Sequence, residues 1–433
     1  MRLLPLQSHR KKSLFALAAV TAFAGAAQAQ SSVTVYGILD VGYIGGNSRL
    51  SSSAIKSNQG QLKQTNSQFG QSAESTSRLG FKGTEDLGGG TSAFFTAEFE
   101  LYPQDQSLSG NDRGGLRNRQ AFVGMAKKGL GQTAVGTQYT VVFNAGTATN
   151  PNGQNNMIGD LVYAGAPIVG NRGYDNGGAI SAAQTNRTSN TLTLKSEKFS
   201  GFSASAMYTL NNQNSSQSTA AGAWALNTSG VATQAASGTV GGSQNASGWG
   251  LGADYTLNKF YVTAAYQSFK VLNTNTSTVA VWANAQPSAN LYSAAGSALS
   301  QASNVQDNQF LAGATYDFGI LKAYAQYINR KATSTITSNN YMKRTAEQIG
   351  VRSFITPTIE AWASGSLGRY TAYGANTPTA NMNAWQLGSN YYISKRTNLY
   401  AIYGQQIIST SAAGTTSGSA SANNYAIGVR HTF

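Results

Sequence analysis

Tyr425-Ala-Ile-Gly-Val-Arg-His-Thr-Phe433 puts a bulky or aromatic side chain at every second position. Tyr425, Ile427, Val429, His431 and Phe433 alternate with Ala426, Gly428, Arg430 and Thr432. A strand sends successive side chains to opposite faces, so this segment has one greasy face and one wet face. At the end of a soluble protein such a strand presents an edge and an apolar face that invite aggregation. A barrel closing in a membrane uses both, because its last strand pairs with the first and turns apolar side chains to lipid.

The same period recurs upstream. Val33, Val35, Leu39, Val41 and Tyr43 alternate with Thr34, Tyr36, Asp40 and Gly42. Leu79 and Phe81 alternate with Arg78, Gly80 and Lys82, and Phe95, Ala97 and Phe99 with Thr96, Glu98 and Glu100. Leu192 and Leu194 oppose Arg187, Thr191 and Lys195; Trp249 to Leu257 and Phe310 to Phe318 repeat the scheme. Charges keep to the parity opposite the apolar residues. Short spacers such as Glu85–Gly90 and Ser394–Thr397 alternate with long Ser/Asn/Gly-rich ones such as Gly45–Ala73 and Thr140–Thr185. Counting between them predicts about sixteen strands, an even number with both ends on one side. A secreted soluble sandwich also alternates, but it does not explain long low-complexity loops at every second connection. Tyr43, Tyr208, Tyr255, Tyr316, Tyr391, Tyr392 and Tyr400 lie near strand ends, where interfacial aromatic girdles sit.

Composition fits this reading. There are 48 glycines, seven prolines and no cysteine among 433 residues, which argues against a helical protein and removes disulfides and Cys-based metal sites. Arg2, Arg10, Lys11 and Lys12, then apolar Leu14 to Ala24, then Ala27-Gln28-Ala29 have the layout of a secretory signal over residues 1–30. Cleavage there lowers the formal charge from +14 to +10 and leaves residues 31–433 as a single barrel domain. No later segment has the roughly 18 apolar residues of a membrane helix, whereas barrel strands of about ten alternating residues escape hydropathy windows.

Ser32-Val-Thr-Val-Tyr-Gly-Ile-Leu-Asp40, Ser77-Arg-Leu-Gly-Phe-Lys-Gly-Thr-Glu-Asp-Leu-Gly-Gly-Gly90, Asn118-Arg-Gln-Ala-Phe-Val-Gly124, Ser394-Lys-Arg-Thr-Asn-Leu-Tyr400 and the terminal Arg430-His-Thr-Phe433 follow. Together they closely resemble the general porins of β-proteobacteria, the Burkholderia, Bordetella and Neisseria type. The resemblance implies an all-β fold, a 16-stranded antiparallel transmembrane β-barrel of the Gram-negative outer membrane. It also implies a homotrimer, and a constriction loop folded inward after the fifth strand, here about residues 140–185. Implied partners are outer-membrane lipid and lipopolysaccharide, the barrel-assembly machinery through Phe433, and small anions and polar solutes.

Selectivity in such a pore comes from its diameter and from charged rings, whose field is focused by low-dielectric walls. Parity points Arg78, Lys82, Arg187 and Lys195 into the lumen. By resemblance, Arg119 joins Arg78 and Arg187 in a basic ladder facing the loop. Glu98 and Glu100, with Asp160 and Asp175 from the loop, are the expected acidic partners that set a transverse field. Many relatives carry an arginine where this chain has Thr137, which predicts a thinner basic wall and weaker anion preference.

Other chemistries find little footing. His9 lies in the signal and His431 on the lipid face, leaving no histidine for a metal or a base. The Ser/Thr-rich loops lack triad partners, so neither catalysis nor a cofactor is expected. The basic balance comes with no clustered patch or reading helix for nucleic acid. A barrel-scaffold adhesin or surface antigen without an open pore is the competing reading.

Overall fold

The computed structural model describes residues 32–52, 62–105, 116–163, 187–215, 224–226, 232–234, 242–273, 305–335, 341–373, 380–410 and 418–433. The signal assigned to residues 1–30 lies outside them. The strands in chain order are β1 Ser32–Ser52, β2 Leu62–Gln71, β3 Arg78–Gly88, β4 Thr91–Glu100, β5 Arg117–Lys127, β6 Gly131–Tyr139, β7 Arg187–Ser196 and β8 Phe202–Ser215. A short hairpin, β9 Trp224–Leu226 and β10 Ala232–Gln234, stands apart from the main sheet. There follow β11 Gly242–Leu257, β12 Phe260–Asn273, β13 Val305–Asp317, β14 Lys322–Ser334, β15 Tyr341–Thr356, β16 Ile359–Tyr373, β17 Ala380–Tyr392, β18 Thr397–Thr410 and β19 Gly418–Thr432. One helix, α1 (Val141–Thr149), follows β6.

Each strand pairs antiparallel with its neighbour, and β19 returns to β1 from Ile38↔Thr432 to Ser52↔Gly418, closing the ring. The seventeen strands of this sheet fill sixteen positions, because β2 and β3 share one. The outer half of β1 pairs with β2 and the inner half with β3. Asp40 bridges the break between them: its Oδ2 accepts from the backbone N–H groups of Glu74 at 2.9 Å and Ser75 at 2.6 Å.

The terminal aromatic completes the seam. Gly37 and Phe433 exchange backbone hydrogen bonds of 3.0 and 3.1 Å. A Cβ on Gly37 would collide with the Phe433 ring, so only glycine lets the terminal residue lie flat against β1.

Alternation sorts the two faces as expected over the apolar band. Val123, Val135, Leu251, Ile349, Leu387 and Ile427 are among the exposed outward residues, while Gln267, Gln309, Gln348, Gln386 and Gln406 are buried on the inner side. Two girdle assignments are corrected. Tyr400 is buried and donates to Asp40 Oδ1 at 2.6 Å, and Tyr392 donates to Glu360 Oε2 at 2.9 Å. Both rings therefore turn inward, where a carboxylate satisfies the hydroxyl. Strands also extend into segments read as loops, since β1 runs to Ser52 and β2 begins at Leu62 within the spacer Gly45–Ala73. Beyond the apolar band no face needs hydrophobic side chains, so pairing continues without a period-2 signal.

The inner wall is not wholly polar. Val141, Val142, Ala145, Leu161, Val162, Met207, Leu311 and Ile328 belong to one buried apolar cluster, and Met157, Trp362, Tyr400 and Ile402 to another. In both, residues 141–162 supply one side and barrel strands the other.

Candidate functional site

The functional geometry starts from register. Arg78 on β3 pairs with Glu100 on β4, and Gly80 with Glu98. Between β4 and β5, Phe99 pairs with Asn118 and Glu98 with Gln120, leaving Arg119 as the extra residue of a bulge. A bulge re-aims a side chain. It also resets parity, so Arg119 and Gln120 serve the same wall while Val123 and Met125 face outward. Parity along Arg119–Met125 is ambiguous in the sequence for this reason.

The arginines converge on the two carboxylates. Arg119 Nε donates to Glu98 Oε1 at 2.8 Å, and its Nη1 lies 3.8 Å from Glu100. Arg78 stands 3.9 Å from Glu98, and Arg117 3.1 Å from Glu100. Tyr36 donates to Glu98 Oε2 at 3.1 Å, and Arg119 Nη2 donates to the Tyr139 hydroxyl at 3.0 Å. Lys82 lies 5.3 Å from the Tyr36 ring centroid and Arg187 5.8 Å from that of Tyr139. Arg119, Glu98 and Glu100 are buried, and Lys82 is exposed. Buried charges are tolerable only with this density of partners, since losing one side of such a pair costs about 3–5 kcal/mol.

The acids thus lie among the arginines on one wall and not across from them. Arg78, Arg117 and Arg119 meet the two carboxylates while Lys82 and Arg187 lie against the Tyr36 and Tyr139 rings, five cations to two acids, so the wall keeps a positive excess. Thr137 pairs with Ala121, shares the parity of outward Val135, and its hydroxyl meets Ser189 Oγ at 3.4 Å. It stands off the basic wall. Lys195 lines a cavity of about 460 Å³ under α1, together with Gln120, Gln138, Asn144 and Tyr261.

Residues 140–163 lie against inward side chains around the ring. Thr140 caps α1, its Oγ1 accepting from Phe143 N at 3.1 Å, and Val141, Val142 and Ala145 bury one face. The run Val-Val-Phe-Asn-Ala-Gly-Thr-Ala-Thr has weak intrinsic helix propensity, so the cap and this packing hold the helix. Gln326 donates to Gly146 O at 2.6 Å and Arg352 to Pro151 O at 3.2 Å. Asn155 and Gln386 exchange amide hydrogen bonds of 2.6 and 3.0 Å, and Gln386 also reaches Ile158 O at 2.9 Å. Arg344 donates to the carbonyls of Leu161 and Val162. A Cβ on Gly404 would overlap Ile158 O, so that glycine is what lets the segment approach the far wall.

Asp160 does not join the cluster of Glu98 and Glu100. It is buried, with Oδ1 accepting from Val162 N at 2.9 Å and Tyr163 N at 2.8 Å and Oδ2 from Asn150 Nδ2 at 2.6 Å. Burial pushes its carboxyl above the usual range, and those donors pull it partly back. Asp175 lies outside the described residues, as do residues 164–186 of the expected loop. Arg117, Tyr36, Tyr139, Gln326, Arg344 and Gln386 were not picked out from sequence. Arg117 shares the parity of Arg119 and was detectable; the others required knowing which strands meet the loop. Among the described residues no group of three His, Cys, Asp or Glu side chains is placed to hold a metal.

Comparison with known proteins adds context. A family profile described as Gram-negative porin matches residues 16–411. An outer membrane porin protein of Bordetella pertussis is 32% identical over 196 residues, 44% of this chain and 46% of that protein. Outer membrane porin protein 32 of Delftia acidovorans is 46% identical over 102 residues, 23% of this chain and 25% of that one. The chain thus spans about half or less of the length of the curated relatives it matches. Among solved structures, an anion-selective porin from Comamonas acidovorans superposes with TM-score 0.59 at 19% identity, covering 93% of this chain and 100% of its own. A trimer form of the outer membrane protein OmpT of Vibrio cholerae gives 0.53 at 14%, covering 93% and 99%. At these identities the structures speak to the fold.

Proposed function

The chain belongs to the Gram-negative porin family, and from that premise we propose that it is a passive diffusion channel for small hydrophilic solutes and ions, with anion preference. Its place is the outer membrane of a Gram-negative bacterium. The observation that carries the reading is the basic wall, where Arg78, Arg119, Arg187 and Lys82 outnumber Glu98 and Glu100 on the inner face of a closed ring. A wall of that sign raises the local concentration of anions and lowers that of cations. Guanidinium suits the task because it stays ionised and binds anions through a planar fork.

Residues 140–163 packed against inward side chains support a constriction built by the loop, with Asp175 on its remaining part. The protein performs no covalent chemistry in this reading. Three copies assemble as a homotrimer, as in the trimer form of the Vibrio cholerae OmpT protein. Outward apolar residues face lipid, rim cations meet lipopolysaccharide phosphates, and Phe433 is the handle for the barrel-assembly machinery. Refolded protein in a planar bilayer tests the proposal through its zero-current potential in a KCl gradient. Anion preference supports it, and cation preference or no conductance overturns it. Liposome swelling with graded sugars separates an open channel from a plugged adhesin barrel, which gives no swelling.

A further inference from the structure

The cations of the wall are not equally satisfied. Arg78 and Arg119 meet Glu98, and Arg117 meets Glu100. Arg187 has no carboxylate within 4.0 Å among the described residues, although Glu100 contributes to its electrostatic surroundings. Its Nη1 is buried with no hydrogen-bond partner among the described residues. An unmet guanidinium N–H of that kind is the strongest form of anion-seeking donor a side chain offers.

A run of aromatic rings begins at this guanidinium. The Arg187 guanidinium lies over Tyr139, which stacks on Phe143 at 4.4 Å and 12°. Phe143 meets Tyr163 edge-on at 6.0 Å and 60°. Arg187, Tyr139, Phe143 and Tyr163 are all partly exposed, so a solute can reach them. The stack is fixed from both ends: Tyr139 accepts from Arg119, and Phe143 N bonds the Thr140 cap. A pore that sieved hydrophilic solutes only by size and charge would have no use for three adjoining rings beside an arginine with an unmet N–H.

We infer that this corner of the lumen is a subsite for small aromatic carboxylates, whose carboxylate meets the exposed edge of the Arg187 guanidinium while the ring packs against Tyr139, Phe143 and Tyr163. The inference rests on the reading that the lumen conducts solutes, and it adds a preferred class to it. Ring–ring contact favours an aromatic guest over a saturated one of equal size by about two- to tenfold.

The test uses the full refolded chain in planar bilayers with chloride as the current carrier. Benzoate, cyclohexanecarboxylate and acetate are added in turn, and the concentration giving half block of the current is read. Benzoate is expected to block at about two- to tenfold lower concentration than cyclohexanecarboxylate, and acetate to block least. Phe143→Leu and, independently, Tyr163→Leu should narrow the benzoate advantage, and Arg187→Gln should weaken block by both ring acids. Equal block by benzoate and cyclohexanecarboxylate in the unmodified protein, with KCl conductance intact, overturns the subsite and leaves the channel standing. Absence of any KCl conductance overturns the channel reading itself.

Discussion

Replacing Glu98 with glutamine removes one of the two carboxylates set among five cations, raising the positive excess of the wall by one unit. The amide oxygen still accepts from Arg119 Nε, now 2.8 Å from Oε1, and the amide NH2 in place of Oε2 donates to the Tyr36 hydroxyl, now 3.1 Å away, so the wall should hold its shape. Arg119 also retains Glu100 at 3.8 Å. An ion passing about 8 Å away feels roughly 0.5 kcal/mol per unit charge in water. Screening near 0.1 M salt takes away about half of that. The change acts with opposite sign on chloride and potassium, so the permeability ratio should move toward chloride by about two- to fivefold. The assay is the zero-current potential of Glu98→Gln against unmodified protein in matched KCl gradients. An unchanged ratio, or a move toward potassium, would mean that Glu98 does not border the conduction path.

Three further outcomes follow from the same geometry. Gln386→Ala removes the amide exchange with Asn155 and the bond to Ile158 O, loosening the loop seat by about 2–3 kcal/mol; single-channel recordings should show larger, noisier conductance. Gly37→Ala forces a methyl group into the Phe433 ring at the β1–β19 seam, and the thermal midpoint in detergent should fall as expected for about 1–3 kcal/mol of overpacking. Burial raises the Asp160 carboxyl above its ordinary 3.8, so the folded loop binds that proton more tightly than the unfolded chain does. Its contribution to stability is therefore greatest below about pH 3.8 and is lost as pH rises through the raised value; the difference in midpoint between unmodified protein and Asp160→Asn should change over that window and level off above it.

The fold was legible because lipid and water impose period two on every strand crossing the apolar band, as in Phe95, Ala97 and Phe99 against Thr96, Glu98 and Glu100. Where that pressure stops, so did the signal. The ends of β1 and β2 carry Ser, Asn and Gly on both faces and read as loop, although their ladder continues. Tyr392 and Tyr400 sit near strand ends like girdle residues, yet Glu360 and Asp40 draw them inward, and only the tertiary partner distinguishes the two cases. The basic wall was half legible: alternation placed Arg78 and Lys82, whereas Arg119 depends on a one-residue bulge and Arg187 lies beyond a register shift between β6 and β7, neither of which periodicity can register. Glu98 and Glu100 do not oppose the arginines, because register puts them on the strand between β3 and β5. Asp160 looked like a loop charge and is a turn-former, its oxygens taken by Val162, Tyr163 and Asn150. Gln326, Arg344 and Gln386 hold the loop from strands far away in sequence, which no local pattern announces.

Because the chain has no cysteine, single substitutions report cleanly on which face meets water. Lys82 is exposed on the inner parity of β3 and Leu251 is exposed on the outer parity of β11. In a planar bilayer, a charged thiol reagent confined to water should modify Lys82→Cys rapidly and step the current down, while Leu251→Cys stays unmodified and its current steady. Equal modification of both positions, or a Lys82→Cys reaction that leaves the current untouched, would contradict a sealed ring with lipid outside and a water path within.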